Sequence, residues 1–218
     1  MIIAQEYNHL NAKEFLQIHH RATYKEIVDV INSIDVEKHR TKVSGEKTMA
    51  GKMLYSPSAL NLEIKNELVA RGWVDTRRDF YVSTDPNIVK QLEPLDYAEQ
   101  KIFLEGLGLP LHHSFNQTDL VKNKIAMEIQ FGKYFAVTYD LFVKHLSFYN
   151  GQIIDVGIEV VPTKKMMQEM STGIPWFEKE VHNVLRHGRT NPPVPILMLG
   201  IEGNPPRKPR RKTITAKT

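Results

Sequence analysis

Three polar residues, Asp119, Glu128 and Gln130, form an Asp-x8-Glu-x-Gln pattern across a predicted β-hairpin. Two carboxylates held close together repel each other unless a cation lies between them, and for hard oxygen donors that cation would be Mg²⁺. Mg²⁺ at such a site promotes phosphodiester hydrolysis by neutralising the phosphate and activating water. The main-chain carbonyl of Ile129 could add another oxygen ligand. The pattern therefore predicts a magnesium site, although acidic pairs also occur on ordinary solvated strands.

A second acidic pair, Asp155 and Glu159, lies on one face of a later predicted strand. We expect these carboxylates to interact with neighbouring lysines such as Lys164 and Lys165. The chain has no HExxH motif, so zinc hydrolase chemistry is not expected.

Alternation of apolar and polar residues over 124–131 predicts the strand that positions Glu128 and Gln130. The apolar residues share one parity and are Ile125, Met127, Ile129 and Phe131. Successive side chains of a strand point to opposite faces, so Glu128 and Gln130 should share a polar, accessible face. A turn near residues 122–124 should bring Asp119 of a preceding strand beside Glu128.

The remaining pattern alternates helices and strands. Helices are predicted at residues 27–34, 60–68, 96–107, 134–149, 163–170 and 175–186, and further strands at 154–160 and 194–201. Residues 84–95 contain two prolines and are predicted to be irregular. Helix 134–149 is apolar nearly all round, which predicts burial on two sides, in a core or at a subunit contact. This order favours an α/β fold with helices on both faces of a sheet.

The charge of the chain is unevenly distributed. Its formal net charge is +4, but the last twelve residues carry six basic and no acidic side chains, which leaves −2 for residues 1–206. A chain of 218 residues fits one domain. We predict a single domain over residues 1–203 and a flexible basic tail over residues 204–218, which either contacts DNA phosphates or is simply solvated.

Composition also bears on the cellular setting. The chain has no cysteine, which excludes disulfides and thiolate zinc sites and favours a cytoplasmic protein. No apolar run approaches the roughly 20 residues of a membrane helix, and the N-terminal residues do not have the pattern of a secretion signal. We therefore expect no association with membranes.

Several longer stretches resemble the BstYI-like group of type II restriction endonucleases. They are NQTDLVKNKIAMEIQFGKY (116–134), YDLFVKHLSFY (139–149), IDVGIEVVP (154–162) and EMSTGI (169–174). The segments EIQFGKY and IDVGIEV are also similar, more distantly, to the BglII and BamHI groups. YNHLNAKEFLQIH and YSPSALN (55–61) extend the resemblance over nearly the whole chain except the basic tail. It implies a restriction-endonuclease-like mixed central sheet flanked by helices and a variant PD-(D/E)xK active site.

The resemblance assigns a role to each residue of the acidic pattern. Asp119 takes the place of the metal-binding acid and Glu128 that of the central acid. Gln130 stands where the motif usually has lysine. A neutral amide cannot act as a cation toward phosphate, so Gln130 is expected to orient the attacking water. A further supporting residue should follow Trp73, and both Asp75 and Thr76 fit that position.

The resemblance further implies cleavage of double-stranded DNA at a palindrome centred on GATC, with R^GATCY as the expected site and four-base 5′ overhangs. A palindrome is matched by a two-fold symmetric protein, so a homodimer is expected, with helix 134–149 as part of its contact. Lys133 follows the catalytic strand and could donate to purine N7, which both purines present. The loop of Ser171, Thr172 and Gly173 lies where the group reads base edges.

Residues 186–193 form a second candidate DNA-binding loop. Its side chains suited to guanine and adenine edges are Arg186, Arg189 and Asn191. A restriction enzyme also implies a DNA methyltransferase of the same specificity that protects the host. Two other functions fit the sequence: a repair or recombination nuclease of the same fold, and a DNA-binding protein without catalysis, which the missing motif lysine would favour.

Overall fold

The computed structural model describes residues 1–47 and 49–204, and its centre is a six-stranded mixed sheet in the order β1-β8-β7-β6-β5-β4. The strands of this sheet are β1 (Ile2–His9), β4 (Val74–Tyr81), β5 (His113–Lys122), β6 (Ile125–Ile129), β7 (Val156–Pro162) and β8 (Ile196–Glu202). Strands β6, β7 and β8 are parallel, and the other pairs are antiparallel. The predicted mixed α/β architecture is confirmed. The predicted basic tail lies, apart from Asn204, outside the described residues.

Helices cover both faces of the sheet. One face packs against helices α1 (Ala12–His19), α2 (Arg21–Ser33), α3 (Pro57–Val69) and α8 (Lys164–Met167). The other face packs against α9 (Phe177–Arg186) and against residues 136–150, called here the covering helix. Helices α4 (Pro86–Leu92) and α5 (Tyr97–Gly106) pack beside β4, while β2 (Lys42–Val43) and β3 (Met53–Leu54) form a separate small hairpin.

Local signals explain several element boundaries. Ser56 accepts a hydrogen bond from the main-chain N–H of Ala59 at 3.3 Å, and Pro57 occupies the first turn of α3, as its sequence predicts. The hairpin between β5 and β6 turns at Asn123 and Lys124, which both have positive φ. Two successive residues of this kind give a type I′ turn, whose twist matches that of the flanking strands. The predicted hairpin near residues 122–124 is thus present.

Two local expectations were wrong. Residues 84–95 contain helix α4, because Pro86 lies in its first turn and Asp85 caps it by accepting from the Asn87 N–H at 2.8 Å. Proline is favoured at that position, where no amide donor is needed. The polar face predicted for the strand of residues 124–131 is not accessible: all five residues of β6 are buried, because the covering helix packs on that face.

The covering helix consists of α6 (Ala136–Tyr139), a π-helical turn (Asp140–Lys144) and α7 (His145–Asn150). The sequence predicted burial on two sides of this helix, in a core or at a subunit contact, and only one side is buried within the described chain. One side is buried through Val137, Leu141 and Phe148, whereas Tyr139 and Val143 are exposed. No helix in the described part of the chain has the length and apolar character needed to span a membrane.

Candidate active site

Glu128 lies near the carboxyl end of β6, where the covering helix buries its side chain almost completely. Lys144 of that helix donates a hydrogen bond to Glu128 Oε1 at 2.8 Å. The pKa of Glu128 is raised to about 7, mainly by burial and then by the negative charge of Asp140, while Lys144 acts in the opposite direction. The carboxylate is therefore held in a desolvated setting where small changes in local charge alter its ionisation.

Asp119 lies in an irregular part of the pairing between β4 and β5. Val74 of β4 faces Val121 of β5, whereas Thr76 faces Thr118, so β5 contains one extra residue in this interval. Asp119 lies within the bulge. The pairing of β5 with β6 also stops at Leu120 and Met127, one position before Asp119 and Glu128 would meet. Bulges re-aim side chains and occur often beside active sites, and here the strands separate where the two acids stand.

Asp119 is partly exposed, and Lys65 of α3 lies 3.2 Å from its Oδ1. Its negative charge contributes to raising the pKa of the buried Asp140, for which burial is the largest cause. Asp140 in turn contacts Lys144 at 2.7 Å. Asp119 and Glu128 both interact electrostatically with Asp140, and each has its own lysine partner.

Gln130 joins the same cluster from the segment that follows β6. Its main-chain N–H donates to the Val160 carbonyl at 2.9 Å, and its side-chain Nε2 donates to Asp140 Oδ2 at 2.5 Å. The structure thus brings Glu128 and Gln130 together through two residues of the covering helix. These two residues are Asp140 and Lys144. The sequence signal for the pair was that they have opposite charges and lie four positions apart, a spacing at which helical side chains are neighbours.

The sequence had also given no role to Asn61 of α3. Its Nδ2 donates to the main-chain carbonyl of Ile129 at 3.3 Å, so this candidate metal ligand already has an amide partner. For the supporting position after Trp73, Asp75 accepts from Gln117 Nε2 at 3.1 Å on the exposed surface, while Thr76 faces the buried Thr118 across the ladder.

The candidate metal donors are oxygen atoms of Asp119, Glu128 and Ile129. Within residues 1–47 and 49–204, no three His, Asp or Glu side chains group together as a metal site on their own. Mg²⁺ commonly uses only one or two carboxylates and keeps several waters. Two carboxylates and a carbonyl are therefore a chemically suitable set, and lysines beside both acids show that the surrounding residues compensate negative charge there.

Of the second acidic pair of the sequence, only Asp155 has the lysine contact that was expected, and its partner is neither Lys164 nor Lys165. Asp155 pairs with Lys124 at 3.6 Å, and Lys165 pairs with Glu202 at 2.7 Å. Glu159 is fully buried and faces Glu128 in the parallel ladder of β6 and β7. The lysine partnership predicted for Glu159 is wrong, because the covering helix packs over this face of β7 as well.

Two candidate DNA-binding loops meet at the carboxyl end of β6 and β7. The main-chain N–H of Tyr134, next to the exposed Lys133, donates to the Gly173 carbonyl at 2.9 Å. Thr172 is held by Glu46, whose Oε1 accepts from its main-chain N–H at 2.9 Å and its hydroxyl at 2.8 Å. Ser171 Oγ accepts from Lys42. The hairpin of β2 and β3 therefore supports this loop.

The candidate loop of residues 186–193 lies elsewhere. It runs from the last residue of α9 toward β8, so it stands at the edge where the parallel strands begin. The Pro192 carbonyl contacts His9 Nε2 at 2.7 Å, at the end of the antiparallel β1. A seven-residue strand spans about 20 Å. The structure therefore does not bring this loop to the cluster; its three candidate residues are Arg186, Arg189 and Asn191, all exposed.

Known proteins resemble this chain in sequence and in fold. The sequence profile of a family described as restriction endonuclease BglII/BglIII matches residues 4–201. The solved structure of restriction endonuclease BglII complexed with a DNA 16-mer superposes with a TM-score of 0.63 at 17% identity, covering 92% of this chain and 78% of that one. Free BglII gives 0.55 at 14% identity, covering 92% and 79%. Among curated proteins, none matches the chain.

Proposed function

Because this chain belongs to the BglII/BglIII family of restriction endonucleases, and is thus a site-specific deoxyribonuclease, we propose that it cuts double-stranded DNA at R^GATCY. The cut would leave four-base 5′ overhangs. The resemblance of residues 116–134 and 154–162 to the BstYI-like group supports this sequence preference. The observation that carries the proposal is the buried Glu128 carboxylate, which is linked to Gln130 through Lys144 and Asp140 near the bulge that contains Asp119.

Restriction endonucleases generally use a divalent metal ion, and we propose Mg²⁺ for this enzyme. Asp119, Glu128 and the Ile129 carbonyl would hold it, and the bound ion would neutralise the attacked phosphate and lower the pKa of water. Gln130 contributes differently. Its Nε2 is engaged by Asp140, so its Oε1 is the end that can accept a hydrogen bond and orient the attacking water.

Base recognition is assigned to the two loops that meet beside the cluster. Lys133 would donate to purine N7, an acceptor that adenine and guanine share, which accounts for a degenerate outer base pair. The Thr172 hydroxyl, held by Glu46, would contact a base edge from the neighbouring loop formed with Ser171 and Gly173. The loop of residues 186–193 lies at the other edge of the sheet and receives no base-reading role in this proposal.

The palindromic site implies two subunits related by a two-fold axis. The exposed side of the covering helix is a suitable contact, because Tyr139 and Val143 are exposed there together with the preceding Tyr134 and Phe135. Aromatic side chains are enriched at the centres of protein contacts. In the cell, the enzyme would act in the cytoplasm beside a DNA methyltransferase of the same specificity.

The test is digestion of DNA of known sequence with purified protein and Mg²⁺, followed by sequencing of the fragment ends. We expect discrete fragments that begin with GATC. The Glu128→Ala variant should bind the same DNA without cutting it, whereas Glu105→Ala, a change at an exposed acid of α5, should cut normally. Cleavage at mismatches or branches regardless of sequence, or binding without cleavage in any divalent metal, would refute the assignment.

A further inference from the structure

The covering helix places two charged side chains inside the protein. Asp140 is 1% exposed and Lys144 is 15% exposed. Removing an ionised side chain from water costs several kcal/mol unless a partner compensates it. Two buried charges in one helix therefore suggest that the pair has a function beyond packing. Both lie in the π-helical turn of residues 140–144, and single π turns within helices occur frequently at functional sites.

The contacts of this pair connect it to the cleavage motif. Lys144 Nζ donates to Glu128 Oε1 at 2.8 Å and contacts Asp140 Oδ1 at 2.7 Å. The second oxygen of Asp140, Oδ2, accepts from Gln130 Nε2 at 2.5 Å. A continuous chain of short, charge-assisted contacts therefore runs from one residue of the Glu-x-Gln segment to the other through the covering helix.

We propose that Lys144 is the positioning residue that supplies, from the covering helix, the positive charge missing from the motif position of Gln130, and that Asp140 orients Gln130. This inference rests on the proposed function. Lys144 holds one Glu128 oxygen and so sets the rotation of that carboxylate. Asp140 binds the amide nitrogen of Gln130, which directs the amide oxygen away from Asp140.

Lys144 acts through Glu128 rather than on the phosphate. Its ammonium group is mostly buried, and both of its short contacts are with carboxylates. Lys65 shows the contrast: it contacts the partly exposed Asp119 at 3.2 Å and is itself 38% exposed. The buried Lys144 ammonium group therefore holds the Glu128 and Asp140 carboxylates in defined positions, since side chains in such networks have few alternative positions.

The decisive experiment compares Lys144→Gln with the double variant Lys144→Gln/Gln130→Lys, which places a positive charge at residue 130 of the motif. At saturating Mg²⁺, Lys144→Gln should lower kcat at least about 100-fold, the usual cost of misplacing a catalytic group. KM and DNA affinity in metal-free buffer should change less than about threefold. The double variant Lys144→Gln/Gln130→Lys should recover at least about tenfold of the lost kcat, because the new ammonium can pair with Asp140. A merely structural role predicts no such recovery.

Lys101→Gln is the matched control, because Lys101 forms an exposed pair with Glu105 at the same spacing of four residues. It should cut like the unaltered protein. If Lys144→Gln fails to fold, as thermal melting would reveal, the double variant carries the test, and a folded double variant without activity overturns the inference. The inference is also overturned if Lys144→Gln has a kcat within threefold of the unaltered protein while Glu128→Ala is inactive. Absence of cleavage by the unaltered protein would overturn the proposed function and this inference with it.

Discussion

Replacing the buried Glu159 by glutamine should change how the stability of this protein depends on pH. His145 Nε2 lies 3.5 Å from Glu159 Oε2, and both residues are fully or almost fully buried. Burial raises the pKa of Glu159 well above 4.5, and the negative charges of Asp140 and Glu128 raise it further. Burial lowers the pKa of His145 to about 3. His145 is therefore expected to be neutral at pH 7, and Glu159 to stay protonated to higher pH than a carboxyl group in water.

The sign of the effect follows from proton linkage. The unfolded chain ionises residue 159 near pKa 4.5, whereas the folded protein keeps Glu159 protonated to higher pH. Its contribution to stability is complete below the unfolded pKa and is lost as pH rises toward the folded pKa, by about 1.4 kcal/mol for each pH unit. Between pH 5.5 and 7 the free energy of unfolding should fall relative to the Glu159→Gln variant by at most about 2 kcal/mol, the limit that one differing proton sets over this interval.

Urea unfolding at the two pH values, followed by tryptophan fluorescence, measures this difference, because Trp73 is buried. His145 has the opposite effect, because its contribution to the free energy of unfolding is lost as pH falls below 6.5. His145 is present in both proteins, so this contribution cancels in the comparison. Glu105→Gln, a change at an exposed residue, is the control and should show no pH-dependent difference. A constant difference between Glu159→Gln and the unaltered protein would mean that Glu159 is ionised in the folded state, and the reasoning would fail.

Three further predictions concern the metal, the subunit contact and the packing. Asp119→Asn should raise the Mg²⁺ concentration for half-maximal cleavage at least about tenfold while DNA affinity in metal-free buffer is unchanged, because one carboxylate ligand is lost; an unchanged metal requirement would remove Asp119 from the site. Phe135→Glu, at a side chain that is 56% exposed, should weaken the dimer at least about tenfold in sedimentation experiments, while Ile102→Glu on α5 should not; equal behaviour would place the contact elsewhere. Gly157→Ala should destabilise the fold by about 1–3 kcal/mol, because its Cβ would lie 2.8 Å from the His145 ring. Gly106→Ala, where no atom lies within 4 Å, should cost less than about 0.5 kcal/mol in the same urea experiment.

Local features of the chain were readable from the sequence. The cap of α3, the turn near residues 122–124 and the alternation over β6 depend on neighbouring residues only. The longer matching stretches identified the family, which the family profile then confirmed. Strands β1 and β4 were not predicted, because edge strands with many polar residues, such as Val74–Tyr81, lack a regular apolar alternation.

The site itself was only partly readable. Asp119, Glu128 and Gln130 were selected by spacing and resemblance, and the structure gathers them around Asp140. Periodicity predicted an exposed polar face for Glu128. Instead, that face is buried, since helix and strand patterns do not reveal which helix packs on which face.

The sequence by itself determined the order of most elements, the family and the three residues of the candidate motif, because each depends on short stretches of chain. Only the tertiary structure decided the place of Asp119 in a bulge, the burial of Glu128 and Glu159, and the pairing of Glu128 with Lys144 sixteen residues later. Those properties arise from contacts between elements distant along the chain. The electrostatic energies of these groups depend on solvent access and on the distances between charges, and both are set only when the covering helix packs against the sheet.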